Sequence, residues 1–322
     1  MASNRENSVV KPISLRGKIG LILRGMAIGA ANVIPGVSGG TIALITGIYP
    51  EIIDSLKSFG WKAIKLLLKG QLSRFFSKIN GSFITSVGIG VLASIFTLAK
   101  ALDHLLTNHL TLTMSFFFGL ILASVYLVYK QISKWNWICT LAALAGIGLA
   151  GTILLIEPLK ENPNLIYIFL CGVIAMSSMI LPGISGSFIL ILMGNYALVL
   201  GAVSDIRNLN SSLPIILPFV GGCAIGLLGF SRILAIVLEK FKATTMALLT
   251  GFIIGSLAVI WPWKEEINTN FNGKEKATGY EWHLPLPDEM FLLAILMMLA
   301  GAGLVLILEK IASNTTKEEN SH

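Results

Sequence analysis

The 322-residue chain is short of the groups that carry enzyme chemistry: only 13% of residues are charged, with 17 Asp plus Glu, 4 His and 3 Cys. Cys139, Cys171 and Cys223 stand singly in apolar segments, without CxxC spacing or a histidine nearby. They read as small packing residues rather than a disulfide or zinc framework. His104 and His109 fall in a short polar stretch, His283 in a longer one and His322 at the end, so no metal site is expected. No Asp or Glu lies securely inside an apolar segment, which removes a proton relay through a buried carboxylate. Ser231-Arg232 opens like the lipid-phosphatase pattern SRx5Hx3D, but the His and Asp positions hold Leu238 and Lys242. With no HExxH either, neither catalysis nor a cofactor is expected.

Apolar residues are what the chain has in plenty. At 54% hydrophobic and a mean hydropathy of +0.79, it reads as an all-α polytopic membrane protein. The net charge of +7 does not point to nucleic acid, because the Lys and Arg lie in short runs between apolar stretches. Orientation in a membrane and anionic lipid account for them better. Arg16 and Lys18 ahead of an apolar run ending near Ala30-Ala31 imitate a signal peptide. Arg24 interrupts that run and the run belongs to a repeat, so removal is not expected.

Residues 24–49 and 171–196 align without a gap at an offset of 147. Identities include Gly25/Gly172, Pro35/Pro182, Gly36/Gly183, Ser38/Ser185, Gly39/Gly186, Gly47/Gly194 and Tyr49/Tyr196. Each copy interrupts an apolar stretch with Pro-Gly-x-Ser-Gly, where Pro35 and Gly36, or Pro182 and Gly183, break the helix. At a second offset of 132, Thr113-Met114, Gly119, Ile121 and Ser124 match Thr245-Met246, Gly251, Ile253 and Ser256, and Lys100 falls on Arg232. The offsets differ because the first copy carries a longer segment, 55–79, with six Lys or Arg among Leu, Phe and Trp. That segment reads as an amphipathic helix on the cytoplasmic membrane surface.

Plain spans are expected near 81–100, 110–129, 137–156, 213–234, 243–263 and 291–308, each close to the ~20 residues that cross a bilayer. Basic loops place both termini and 55–79 in the cytoplasm. The alternation closes if each broken element returns to the side it left, as a hairpin would. Repeat one then covers 18–130, a linker span 135–157, repeat two 165–263, an extracytoplasmic loop 264–288 and a last span 289–311. The odd linker span turns the second copy over, giving an inverted-topology repeat of the kind found in secondary transporters.

At each break the next helix begins with backbone N–H groups that have no intrahelical partner, which suits an anion such as phosphate. The candidate donors are Ser38, Gly39, Gly40 and Thr41 in the first copy and Ser185, Gly186 and Ser187 in the second. Arg24, Lys100 and Arg232 are the candidate cations, although each could also reach a membrane interface. A small-anion channel or exchanger is the alternative, since it would use the same breaks.

The stretches NVIPGVSGGTIALITGIYPEII and MILPGISGSFILILMGNY resemble the PopT polyprenyl-phosphate transporter family, and the resemblance covers roughly 18–311. It implies translocation of undecaprenyl phosphate, the carrier lipid of envelope polymers, across the bacterial cytoplasmic membrane. It further implies that the lipid and the membrane are the partners, while a homo-oligomer stays open. Many members have an acidic residue where this chain has Asn32, so a titrating role there is absent or reassigned.

Overall fold

The computed structural model describes residues 15–33, 37–132, 134–156, 158–204, 209–271, 274–285 and 289–319. Pro35 and Gly36 lie outside the described residues, as does the side chain of Lys100. The chain opens with α1 (Leu15–Val33), a break, and the seven-residue α2 (Gly39–Ile45). Then come α3 (Tyr49–Ser58), α4 (Trp61–Leu68), α5 (Leu72–Lys78), α6 (Gly81–Thr97), α7 (Ala99–Asn108), α8 (Leu110–Lys130) and α9 (Trp137–Leu154). The second break separates α10 (Leu165–Ile180) from the seven-residue α11 (Gly186–Leu192), and α12 (Tyr196–Ser204), α13 (Leu209–Lys240) and α14 (Lys242–Ser256) follow. Strands β1 (Lys264–Phe271) and β2 (Lys274–Trp282) pair antiparallel before α15 (Glu289–Glu319). Among the described residues, that hairpin is the only sheet in an otherwise helical, multi-pass membrane protein.

Among the described residues, three helical segments are long and apolar enough to cross a bilayer alone: Leu110–Lys130, Leu209–Lys240 and Glu289–Ile307. The other expected spans are shorter, with 17, 18 and 15 residues in α6, α9 and α14. Helix α14 stops at Ser256 instead of running to Trp263, because the chain turns there and enters β1. The 55–79 segment, expected as one helix, is divided among the end of α3, α4 and α5. Gly60 caps α4 from an extended conformation, and Gly70, at φ +68°, turns the chain between α4 and α5.

The two copies are built on the same contacts. In the first, α1 crosses α6 where a Cβ on Gly90 would overlap the Ile22 carbonyl and one on Gly25 the Val87 carbonyl. In the second, α10 crosses α13 where Gly222 meets the Phe169 carbonyl and Gly172 the Phe219 carbonyl. These residues correspond at 147 on the incoming helix and at 132 on its partner. The hydroxyl of Thr113 bonds the Leu105 and His109 carbonyls at 3.2 and 2.8 Å, and that of Thr245 bonds those of Val237 and Phe241 at 3.3 and 2.9 Å, again 132 residues on. Gly47 and Gly194 turn the chain after the short helices with φ of +75° and +76°. Small residues let these backbones approach closely, as helix pairs in lipid require.

A third matched pair extends the repeat past the sequence match. Helix α9 sits on α14 with Gly146 against the Leu248 carbonyl, and α15 sits on α8 with Gly301 against the Phe116 carbonyl. Leu248 and Phe116 are 132 residues apart. The segment expected only to link the copies therefore has a counterpart in the last helix, and each packs on the other copy.

Candidate functional site

The first short helix starts at Ser38, whose extended backbone (φ −103°, ψ 136°) directs its hydroxyl back along the chain as an N-cap. Ser38 Oγ accepts from Gly40 N at 3.2 Å, and the Ser38 carbonyl accepts from Thr41 N at 2.9 Å. Asn32, the last residue but one of α1, turns its side-chain oxygen to Gly39 N at 2.9 Å. Every N–H of this first turn therefore has a protein acceptor. Ser38 and Thr41 are 5% and 1% exposed and Gly39 is buried, while Gly40 is half-buried and Asn32 exposed.

The same residues hold the second break. Thr41 Oγ1 accepts from Gly183 N at 2.9 Å, and Ser38 Oγ lies 3.4 Å from the Leu181 carbonyl, to which it can donate. Tyr49, 2% exposed, donates from its hydroxyl to the Ile180 carbonyl at 3.0 Å. The two breaks, 147 residues apart in sequence, are thus joined through Ser38 and Thr41 of the first and Leu181 and Gly183 of the second.

The second start is built differently. Ser185 has the same extended backbone (φ −98°, ψ 126°), but its side chain makes no cap hydrogen bond; Oγ lies instead 2.9 Å from Ser187 Oγ. The Ser185 carbonyl accepts from Ile189 N at 3.1 Å, while Gly186, Ser187 and Phe188 N–H meet no acceptor among the described residues. Ser187 is exposed and Ser185 and Gly186 are half-buried. Aligning the copies shows the cause at Gly186: Asn32, which caps Gly39 N, corresponds to Met179, whose side chain has no oxygen to offer, while Thr41, whose hydroxyl serves Gly183 of the other break, corresponds to Phe188, which returns no such contact. A Cβ on Gly186 would lie 2.6 Å from the Ala175 carbonyl, so glycine is needed for that start to approach α10.

Of the candidate cations, Arg232 and Arg24 are not drawn into this contact. Arg232 reaches across to the end of α3, where Nη2 donates to the Phe59 carbonyl at 2.5 Å, and Nη1 donates to the Leu228 carbonyl at 3.3 Å. Arg24 is half-buried on α1, two turns and about 12 Å of rise before Asn32. Among the described residues it has no hydrogen-bond or ion-pair partner. Lys100 lies in the first turn of α7. Asn32 and Tyr49 are the residues that reading for donors passed over. Asn32 stood out only as a departure from a family pattern, and Tyr49 only as a repeat identity.

Donors typical of metal sites gather once among the described residues. Glu265 and Glu281 face each other across β1 and β2, and His283 Nε2 lies 3.7 Å from Glu265 Oε1. All three are exposed, on a hairpin remote in sequence from both breaks.

Residues 28–278 match the family described as undecaprenyl phosphate translocase-like. A polyprenyl-phosphate transporter of Vibrio cholerae is 42% identical over 299 residues, covering 90% of this chain and 96% of that protein. One of Staphylococcus aureus is 36% identical over 255 residues, covering 75% and 85%. Both relatives are named as transporters and not as enzymes. No solved structure matches the chain. Because the family model spans well over half of the residues, this chain belongs to the undecaprenyl phosphate translocase-like family.

Proposed function

We propose that the protein carries undecaprenyl phosphate across the bacterial cytoplasmic membrane, returning the carrier lipid for reuse, with its phosphate head held at the second break. The observation that carries this reading is the run of unfilled donors at Gly186, Ser187 and Phe188 beside the Ser185 and Ser187 hydroxyls. Hydrogen bonds to an ionised acceptor are worth roughly 1.5–3 kcal/mol each, enough for a few of them to hold a phosphate. The isoprenoid tail can stay in lipid while only the head enters the protein.

In this reading the first break is the latch of the second. The N–H groups of Gly39, Gly40 and Thr41 keep their acceptors within the first copy, whereas the Ser38 and Thr41 hydroxyls, engaged with Leu181 and Gly183 in the conformation described, become donors to the head when the breaks part. Arg24 and Lys100 supply positive potential on the way in, and Arg232 holds the frame through Phe59. The matched contacts of the copies, with the charge pattern of their loops, support an inverted repeat whose halves rock to open the site to alternate sides.

The test is undecaprenyl phosphate flipping in proteoliposomes. Ser185→Ala/Ser187→Ala slows it by about tenfold or more, since 1.4 kcal/mol is a factor of ten. Wild-type flipping by a Ser38→Ala/Ser185→Ala/Arg232→Ala variant sinks the site assignment. Chloride or phosphate flux in the same vesicles, without lipid movement, favours the anion channel instead.

A further inference from the structure

Between Ser55 and Ile79 the chain has six cations, Lys57, Lys62, Lys65, Lys69, Arg74 and Lys78, and no acidic residue. The fold leaves most of this stretch exposed, as a two-helix arm. Helix α4 buries only Ala63 and α5 buries nothing. Trp61, Leu68 and Leu72 are 65%, 76% and 63% exposed, and Lys65 Nζ sits 5.7 Å over the Trp61 ring. On α4 the Trp61, Ile64 and Leu68 side falls opposite Ala63, with Lys62 and Lys65 along one margin. That layout suits a helix lying flat, apolar side chains in the acyl boundary and ammonium groups at headgroup level.

The arm is also held firmly at its root. Arg232 of α13 grips the Phe59 carbonyl at 2.5 Å, Phe59 stacks edge-on against Phe75 of α5 at 6.3 Å, and Lys57 lies 4.0 Å from Glu239 of α13. A limp topological loop would need none of these contacts. A second copy of the chain is a poor occupant, since a two-fold contact would set this wholly basic arm against itself.

We infer that the α4–α5 arm is a binding surface for anionic phospholipid, concentrating phosphatidylglycerol-type headgroups at the bilayer interface beside the transporter. The ligand is bulk phospholipid of the membrane and not the transported lipid, so the experiment leaves polyprenyl phosphate out.

An environment-sensitive dye is placed at Leu68→Cys in a background with Cys139, Cys171 and Cys223 changed to Ala, and the protein is reconstituted in phosphatidylcholine bilayers. Brominated phosphatidylglycerol or brominated phosphatidylcholine is then added at equal mole fraction. The expected result is at least about twofold stronger quenching by the anionic lipid, since juxtamembrane Lys and Arg are attracted to anionic headgroups. The preference disappears in Lys62→Gln/Lys65→Gln/Lys69→Gln and shrinks in 1 M salt, where the Debye length is about 3 Å. If the cysteine-free background does not fold, the difference in tryptophan emission between parent and Trp61→Phe reads the same quenching. Equal quenching by the two lipids overturns the proposal, as does no quenching by either, or a dye shielded by a second copy.

Discussion

The two breaks share a motif and a backbone but differ in what fills them. The first start has Asn32 on Gly39 and Ser38 on Gly40 and lends Thr41 to Gly183; the second has Met179 where Asn32 stands and Phe188 where Thr41 stands, with its donors unfilled. A duplicated element in a symmetric scaffold has thus diverged into a latch and an open cradle. Equal helix crossings hold unequal chemistry, so symmetry of fold alone does not imply symmetry of binding. The difference turns on two side chains per copy, which makes it open to direct attack.

The scaffold's sameness gives the largest expected effect. Gly90→Val and Gly222→Val each force a side chain into a facing carbonyl, backbone against backbone, where neither partner can turn aside. Overpacking of this kind costs about 3 kcal/mol or more, and both variants should be lost from the folded fraction to a similar degree on detergent size exclusion. If only one collapses, the crossings are not equivalent and the copies differ in their frame as well as in their breaks. Next comes the divergence itself. Ser185→Ala/Ser187→Ala slows flipping by about tenfold or more, whereas Ser38→Ala removes a cap worth ~1 kcal/mol and shows first as lower stability. Equal transport losses from the two would erase the distinction between latch and cradle.

Much of this frame was legible in the sequence, because glycine and the Pro-Gly-x-Ser-Gly run are dictated by backbone geometry and survive divergence. The offsets of 147 and 132 reappear as Gly25 on Val87 and Gly172 on Phe219. The kinship of α9 and α15 was not legible, since it rests on Gly146 and Gly301 at a third offset among unrelated apolar neighbours. Arg232 could be matched to Lys100 by position, but a long side chain reaching the end of α3 depends on tertiary placement. The hairpin after α14 had a signal in Asn272-Gly273, a pair favoured in tight turns, that a reading tuned to spans passed over. Filled and unfilled donors lay beyond reach, because only the fold brings Thr41 to Gly183.

Exchanging the key side chain sharpens the contrast with a smaller effect. Met179 stands by Gly186 as Asn32 stands by Gly39: a Cβ on Gly186 would lie 3.4 Å from Met179 Cβ, and one on Gly39 2.7 Å from Asn32 Oδ1. Met179→Asn therefore offers the second start an internal acceptor that competes with the phosphate head. Net worth of ~1 kcal/mol predicts a loss of apparent lipid affinity of about fivefold, with the thermal midpoint unchanged or raised. An unchanged affinity means that Gly186 N is not among the donors to the head.

A comparison of the two tyrosines examines the latch at its other end. Ile180 closes α10, so its carbonyl is one of the four that a helix C-terminus leaves without an intrahelical donor. Tyr49 supplies that donor from a site 2% exposed, where water is a poor substitute. Tyr49→Phe keeps the ring and its packing but strands a buried carbonyl, at a cost of about 1–3 kcal/mol. Its counterpart Tyr196 is only half-buried, and water can replace what its hydroxyl loses, so Tyr196→Phe should cost less than about 1 kcal/mol. Unfolding both variants by denaturant in detergent measures the gap. A deficit confined to Tyr49 shows that the first copy bears on the second more than the second bears on the first, whereas equal deficits would mean that each break is latched by the tyrosine of the other.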